Sequence, residues 1–587
     1  MQYYAGTRLA QDHTLHLNQP ELSRAVGLPL GDEPGLGALT MSGFLHEVTT
    51  RFAGREALVF HAADGVTRWS YAMLWGQAQA VARALMASGV GKDSRVGVLM
   101  TNRPEWLAGF FGASLAGAVA VPLSTFSTPA ELAYLLQSSC VSTLLFERTV
   151  ANKDFAAILA GLVPATATAA PGNLRSPEFP FLRHLAVVGD APAAGAIESW
   201  PDFLRRGTGI APAQVAATAA TVTPADLGSI FYSSGSTATP KGIRNSHRAM
   251  AIQCWRTRRL FALGDDVRCW TANGFMWSGN FVMALGGTLA SGGSLVLQRL
   301  FDPGEALQLL ASERVTRPVL WPHQWAQLEA LPAWQATDLG CLRYVDAERP
   351  PVRHPRIATD WTEPVWAYGS TETFTVSVGF ASGTPPDVTA NTHGVPLPGN
   401  ALKIVDPASG AIVARGERGE IAVKGATLMQ GYVGIALDET LDADGYFHTG
   451  DCGYLDAQGR LHWEGRLSDV IKTGGANVSP LEVDAVLLTC PGVMIGKTVG
   501  VPHETLGEIV VACVVPQAGH ELTEQAVREF MKVRLASYKV PRRVIFMRQE
   551  EFGLTSSSKI KSGELRAIVA QRLKSESRHT PEIRTSG

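Results

Sequence analysis

No Cys-x-x-Cys pair occurs anywhere in the 587 residues; the seven cysteines, at 140, 254, 269, 341, 452, 490 and 513, are scattered. That spacing argues against a disulfide framework and a cysteine-built zinc site, and reads as buried, reduced thiols in the cytoplasm. An excess of one charge is also missing. The 51 basic and 53 acidic residues leave a net charge of −2, without the basic surplus of a dedicated nucleic-acid binder. Charged residues are sparse at 18%, against 46% apolar, which fits a folded protein with a substantial core and not a disordered one. The opening MQYYAGTRLAQDH has no basic stretch followed by an apolar one, so no secretory signal is expected. One uncharged run, between Glu105 and Glu131, is rich in small residues and interrupted by Pro122. It reads as a buried helix leading into a buried strand at 118–121, not as a membrane span. No fixed-period repeat and no G-x-S-x-G elbow are present, which argues against a solenoid and a serine hydrolase.

What is present is length and alternation. The chain is too long for one core, so roughly two to four domains are expected. Helical patterns such as 71–88 alternate with β-branched runs such as 95–100 and 141–146, which implies parallel sheets covered by helices. The stretches 160–175 and 211–224 read as surface connections. After residue 467 the pattern becomes compact α+β, with strands at 496–501, 509–515 and 543–547 and a helix at 523–534. The expected organisation is a loose lead-in over 1–40, a large lobe over 41–467, a small lobe over 468–575 and a disordered tail over 576–587.

The most informative stretch is Tyr232-Ser-Ser-Gly-Ser-Thr-Ala-Thr-Pro-Lys-Gly242. Its short side chains allow backbone N–H groups to approach phosphate oxygens, its hydroxyls add donors, and Lys241 adds positive charge. It is not a Walker loop, because Lys241 is followed by glycine and the G-x-x-x-x-G-K spacing fails. On its own such a turn is equally an ordinary loop.

Four further segments follow it in order: Tyr368-Gly-Ser-Thr-Glu-Thr373; Gly394–Gly399 with Gly419–Ile421 and Met429–Tyr432; Thr449-Gly-Asp451 with Gly465–Asp469 and Lys472-Thr-Gly-Gly475; and Thr555-Ser-Ser-Ser-Lys-Ile-Lys561. In this order and spacing the chain resembles the adenylate-forming superfamily over roughly residues 40 to 570, and its texture is nearest to acyl-CoA ligases. The resemblance implies an α/β fold: a large multi-subdomain N-terminal domain with parallel-rich sheets packed by helices, and a small mobile α+β C-terminal domain. It also implies three small molecules besides the acid: ATP, Mg²⁺ and coenzyme A. A carboxylate attacks the α-phosphate to give acyl-AMP and pyrophosphate, and a thiol then displaces AMP.

By this resemblance Ser233, Ser234, Gly235, Ser236, Thr237 and Lys241 belong to the phosphate loop, with Ser236, Thr237 and Lys241 on the β- and γ-phosphates. Tyr368 lies against adenine, followed by Gly369 and Ser370; Thr371 meets the α-phosphate and Glu372 holds Mg²⁺, a hard ion suited to carboxylate oxygen. Asp451 accepts from the ribose hydroxyls with help from Arg466. Lys559 reaches the carboxylate and α-phosphate, and is expected to be catalytic together with Thr237 and Glu372. Ser468 matches the hinge on which the small domain turns, and Lys472, Gly474 and Gly475 pass the pantetheine arm. Trp277 matches an aromatic gate; Phe275, Met276, Trp277, Trp321 and Val345 are assigned to the acyl pocket. Two positions depart from the pattern. Ala238 stands where glycine is usual, costing about 1 kcal/mol if φ must be positive. Tyr344–Arg349 replaces a glycine pair, which would narrow or re-polarise the pocket.

Three functions stay open at this point. The leading one is an acid–CoA ligase for a medium-to-bulky hydrophobic acid (fatty, aromatic, steroid or terpenoid). The others are an acyl-adenylate former that loads a carrier protein and a non-catalytic nucleotide-binding homologue. The oligomeric state is not fixed by the sequence, and a homodimer stays open.

Overall fold

Runs such as Arg95–Leu99 and Thr143–Glu147 are apolar on both faces, so they must be covered on both sides. The computed structural model places them centrally in a sheet. It describes residues 21–233, 240–346, 354–364, 367–473, 476–503, 505–535, 537–552 and 562–578. The strand order is Ile197–Ser199, His184–Val188, Thr143–Glu147, Arg95–Leu99, Val119–Pro122, Leu227–Tyr232 and Gly242–Ser246. Neighbours run parallel except for the closing hairpin of the last two strands. A second sheet is ordered Arg317–Pro318, Arg268–Thr271, Ser294–Leu297, Glu56–Ala62 and Gly65–Ser70, with only the final pair antiparallel. One apolar cluster joins both sheets to the helices Met41–Arg51, Tyr71–Ala87, Pro104–Leu115 and His247–Leu260.

The uncharged run after Glu105 is the helix Pro104–Leu115, which leads into the strand Val119–Pro122. Trp106 stacks on Phe110 at 5.3 Å inside the cluster. No helix among the described residues is long and apolar enough to cross a membrane.

A third, antiparallel sheet carries the later motifs, in the order Arg24–Val26, Asn400–Val405, Gly419–Gly425, Phe447–Leu455 and Leu461–Arg466. The smaller C-terminal domain has a mixed sheet of Ala476–Val478, Ile471–Thr473, Gly507–Pro516, Val493–His503 and Arg543–Phe546, covered by the helices Pro480–Leu487, Glu524–Lys532 and Ser562–Arg578. Fold class is therefore α/β with a small α+β domain, as the motifs imply.

Two local expectations need correction, and two of the expected surface connections carry structure of their own. The lead-in is not loose where it is described: Arg24–Val26 pairs with Ala401–Lys403, and Glu33 is buried against Arg256. The 211–224 stretch holds a helix, Pro212–Ala220, because proline at its first turn and consecutive alanines favour helix over coil. Within 160–175 the helix Phe155–Leu162 is followed by a 3₁₀ turn at Pro164–Ala167 whose Thr166 carbonyl accepts from Ala196 N–H. The expected tail begins inside the helix that runs to Arg578.

The Glu33–Arg256 contact is bidentate, with Nε–Oε1 at 2.8 Å and Nη2–Oε2 at 2.6 Å, and Arg256 also donates to the Pro398 carbonyl at 2.7 Å. Their side chains are 4% and 1% exposed. Removing one partner strands a buried charge, which costs about 3–5 kcal/mol. Glu33→Ala is therefore expected to lower unfolding free energy by about 3 kcal/mol or more in chemical denaturation; a change no larger than that of an exposed Glu417→Ala control would contradict the buried pairing.

Candidate active site

Three chain segments meet on the end of the Leu227–Tyr232/Gly242–Ser246 hairpin. Ser233 N–H donates to the Lys241 carbonyl at 3.1 Å and closes the neck of the turn. Ser234, Gly235, Ser236, Thr237 and Ala238 lie outside the described residues. The segment Met429–Val433 runs antiparallel to the hairpin's second strand. Arg244 N–H donates to Gly431 at 3.0 Å, Gln430 N–H to Arg244 at 2.7 Å, and Val433 N–H to Gly242 at 2.8 Å. This zipper sets the Tyr432 ring beneath the Lys241 ammonium, 5.1 Å from the ring centroid. A cavity of about 340 Å³ opens beside them, lined among others by Tyr134, Pro240, Lys241, Tyr432 and Ile435.

The second segment is the loop after strand Ala367–Tyr368. Ser370 N–H donates to Thr373 Oγ1 at 2.9 Å, and Thr375 N–H returns to the Ser370 carbonyl at 2.8 Å. This tight turn forces Phe374 and Thr375 to φ of 45° and 95°, a region that costs side-chain-bearing residues energy. Gln253, buried in the middle of the helix His247–Leu260, holds the strained turn by donating to the Thr373 and Val376 carbonyls at 3.2 and 2.6 Å. Gly369 is required by close approach: a Cβ there would lie 1.7 Å from the Thr375 carbonyl oxygen. The turn presents Thr371, whose Oγ1 is 3.5 Å from Ser278 Oγ. It also presents Glu372, whose Oε1 accepts from the Tyr432 hydroxyl at 2.9 Å. The Glu372 carbonyl accepts from Met429 N–H at 2.7 Å.

The third segment is the pair Phe447–Leu455 and Leu461–Arg466, in which Asp451 and Arg466 are register partners. Asp451 is 8% exposed and accepts from the Tyr368 hydroxyl at 2.7 Å. Arg466 Nε lies 3.0 Å from Oδ1, close enough for an ion pair but not aligned as a hydrogen bond, so Oδ1 stays without a hydrogen-bond partner. The guanidinium donates instead to the Thr449 carbonyl at 2.8 Å. Burial pushes the Asp451 carboxyl above its ordinary range, while Arg466 and Tyr368 pull it back. Burial, then the Asp451 charge, pushes the Tyr368 phenol well above 10. Burial, then Glu372, raises Tyr432 likewise. Both tyrosines are therefore protonated donors at neutral pH.

The structure thus brings Ser233, Lys241, Tyr368, Gly369, Ser370, Thr371, Glu372, Asp451 and Arg466 into one region. Ser468 is exposed two residues beyond Arg466, its hydroxyl 3.3 Å from Asp469 Oδ1. Lys472 is exposed, with its N–H on Glu508; Gly474, Gly475 and Lys559 lie outside the described residues. Of the acyl-pocket group, Trp277 is half-buried and Trp321 is 41% exposed. Phe275 packs on Trp106 at 5.3 Å within the core, Met276 is buried, and Val345 belongs to a separate core cluster around Trp270 and Leu310. Asp346 accepts from Glu363 N–H; 347–349 lie outside the described residues. Sequence reading missed Gln253 and Asn102. The Asn102 amide donates to the Asn273 carbonyl at 2.7 Å, and its oxygen accepts from Phe275 N–H at 3.1 Å. Both are buried polar side chains whose partners lie more than a hundred residues away, so local sequence carries no signal for them.

Among the described residues no three His, Cys, Asp or Glu side chains cluster as a metal site. Glu372 offers a carboxylate against the Tyr432 hydroxyl, on the same ring that carries Lys241. That donor set fits Mg²⁺ only as an ion carried largely by phosphate oxygens, the usual manner of its binding at nucleotide sites.

A family model described as AMP-binding enzyme matches residues 45–433, and one described as AMP-binding enzyme C-terminal domain matches 482–559. The indoleacetate–CoA ligase of Aromatoleum aromaticum is 32% identical over 524 residues, covering 88% of this chain and 96% of that protein. A feruloyl-CoA synthase of Amycolatopsis sp. is 32% identical over 508 residues, covering 86% and 94%. The solved anthranilate CoA ligase AuaEII, in complex with anthranoyl-AMP, shares the fold with a TM-score of 0.72 at 22% identity, over 93% of this chain and all of that one.

The close approach at Gly369 makes a prediction. Gly369→Ala is expected to destabilise the chain by about 1–3 kcal/mol, the range for overpacking. Gly279→Ala, whose methyl meets nothing within 4 Å, serves as the neutral control. Equal denaturation midpoints for the two variants would contradict the contact.

Proposed function

Because the chain belongs to the AMP-binding enzyme family, we propose that it is an AMP-forming acid–CoA ligase. The observation that carries the reading is the buried Tyr368–Asp451 hydrogen bond with Arg466 beside it, joined through one strained turn to Thr371 and Glu372. Such a site can bind a nucleotide at both ends. Tyr368 offers an aromatic face for adenine, and Asp451 has one oxygen without a hydrogen-bond partner, suited to ribose hydroxyls. The phosphate turn, through Ser236, Thr237 and Lys241, would hold the β- and γ-phosphates, with Ser233, Ser234 and Gly235 supplying backbone and hydroxyl donors. Thr371 would hold the α-phosphate. Bound Mg²⁺ would supply charge neutralisation beside Glu372.

In the first step a carboxylate oxygen attacks the α-phosphorus and the bond to pyrophosphate breaks. The protein's task is positioning and neutralising charge on equatorial oxygens, with Lys559 as the cation at the reacting carboxylate. In the second step the CoA sulfur attacks the acyl carbon, the thiol loses its proton, and the bond to AMP breaks. Ser468 would be the hinge between the two arrangements; Lys472, Gly474 and Gly475 would line the thiol's path, with Trp277 as gate. The apolar segment Phe275–Trp277, of which Trp277 is the partly exposed member, makes a medium-to-bulky hydrophobic acid the proposed substrate.

A panel of fatty, aromatic and polycyclic acids should therefore elicit acid-dependent pyrophosphate release, with AMP release requiring CoA. Pyrophosphate release without any acid, or AMP release indifferent to CoA, would overturn the assignment. Lys559→Ala is expected to slow adenylation by at least about 100-fold, the scale for removing a transition-state charge partner. The same variant should leave CoA transfer from preformed acyl-AMP within about threefold; equal loss of both half-reactions would contradict this division.

A further inference from the structure

Tyr432 touches two groups of opposite charge that the proposed chemistry needs together, and neither the family motif nor the comparisons assign it a task. Its hydroxyl donates to Glu372 Oε1 at 2.9 Å, while its ring face carries the Lys241 ammonium at 5.1 Å. The side chain is fixed for this: it is 9% exposed, in the apolar cluster with Ile243, Tyr368 and Phe447. Its backbone is held by the zipper to Gly242 and Arg244, and an isolated bridge pairs it with Ile243.

We infer that Tyr432 is a positioning residue that sets the Glu372 carboxylate and the Lys241 ammonium in one fixed relation to the triphosphate and its magnesium ion. The physical logic is division of labour within one side chain. A phenol O–H can donate only one hydrogen bond; given to Oε1, it fixes the carboxylate rotamer and would leave Oε2 for the ion. The ring's negative face holds a cation within the distance at which cation–π attraction operates. A direct Lys241–Glu372 ion pair would neutralise both groups before the nucleotide arrived. A tyrosine between them holds each without cancelling either.

The inference rests on the ligase reading for its ligand, but its test is a binding measurement on the full chain. ATP affinity is measured by calorimetry with Mg²⁺ and with EDTA, for wild type, Tyr432→Phe, Tyr432→Leu, Glu372→Gln and the Tyr432→Phe/Glu372→Gln double variant. Tyr432→Phe keeps the ring and loses the hydrogen bond to a charged group. It should weaken ATP binding with Mg²⁺ by about tenfold or more, and leave metal-free binding within about twofold. Tyr432→Leu should weaken both. In the Glu372→Gln background, Tyr432→Phe should add less than about a threefold further loss with Mg²⁺, because the two act through one contact. An unchanged affinity in Tyr432→Phe, a loss of equal size with and without Mg²⁺, or full additivity in the double variant would overturn the inference. Tyr432→Phe is close to isosteric, so a folding failure of Tyr432→Leu does not decide the matter. Wild type that binds ATP tightly yet releases no pyrophosphate with any acid defeats the ligase reading alone. Wild type that does not bind ATP defeats both.

Discussion

A carboxylate cannot be buried without donors, and this site is organised around meeting that demand at Asp451. The nearly enclosed side chain takes the Tyr368 hydroxyl and faces Arg466, which ties the short sheet of Ala367–Tyr368 to the large antiparallel one. Under the proposed function, this pairing across two sheets would fix the separation of the base end from the ribose end of the cleft. The second Asp451 oxygen is left without an aligned donor, an arrangement expensive in an apolar interior unless a ligand completes it. Under that reading, affinity and architecture would draw on the same buried charge.

The helix His247–Leu260 does comparable work from behind. Four residues of one helix serve three distant segments. His247 Nδ1 accepts from Met41 N–H, Gln253 holds the strained turn, Trp255 donates to the Ala38 carbonyl, and Arg256 fixes Glu33 and Pro398. Burial holds His247 neutral, with its pKa down at about 4. Its contribution to stability is then full above the ordinary histidine value and is lost as pH falls from about 6.5 toward 4. Phe374 and Thr375 persist at positive φ because Gln253 and the Ser370 carbonyl fix the turn from two sides, as strained backbone near functional sites generally requires.

How much of this was legible beforehand divides along physical lines. Local pattern revealed the helix that became Tyr71–Ala87, the buried helix–strand unit after Glu105, and the C-terminal alternation, because periodicity and breakers act over a few residues. Motif order disclosed which side chains would be chemically eligible: Tyr368, Asp451 and Arg466 meet although 83 residues separate the first pair. The misjudged places are those where long-range pairing overrides local composition. Arg24–Val26 looks like coil and becomes strand only through pairing with the distant edge Ala401–Lys403. Pro212–Ala220 was underrated since alanine and threonine read as linker, while an N-terminal proline and a buried Val215 make it a helix. Gln253, Asn102 and the role of Tyr432 were invisible because their importance comes from what they reach, which one-dimensional spacing does not encode.

The register of Arg24 with Lys403 has a bearing on biogenesis. During synthesis the parallel sheets can close once their crossover helices have emerged, but the antiparallel sheet receives its first strand early and must wait for residues 400–405 to leave the ribosome. At about 5–20 residues per second that interval is on the order of 20–80 s. Over that time an unpaired strand edge and the buried partner of Glu33 have to coexist with an unfinished lobe. Nascent chains truncated before residue 400 should therefore be the species that chaperones engage most.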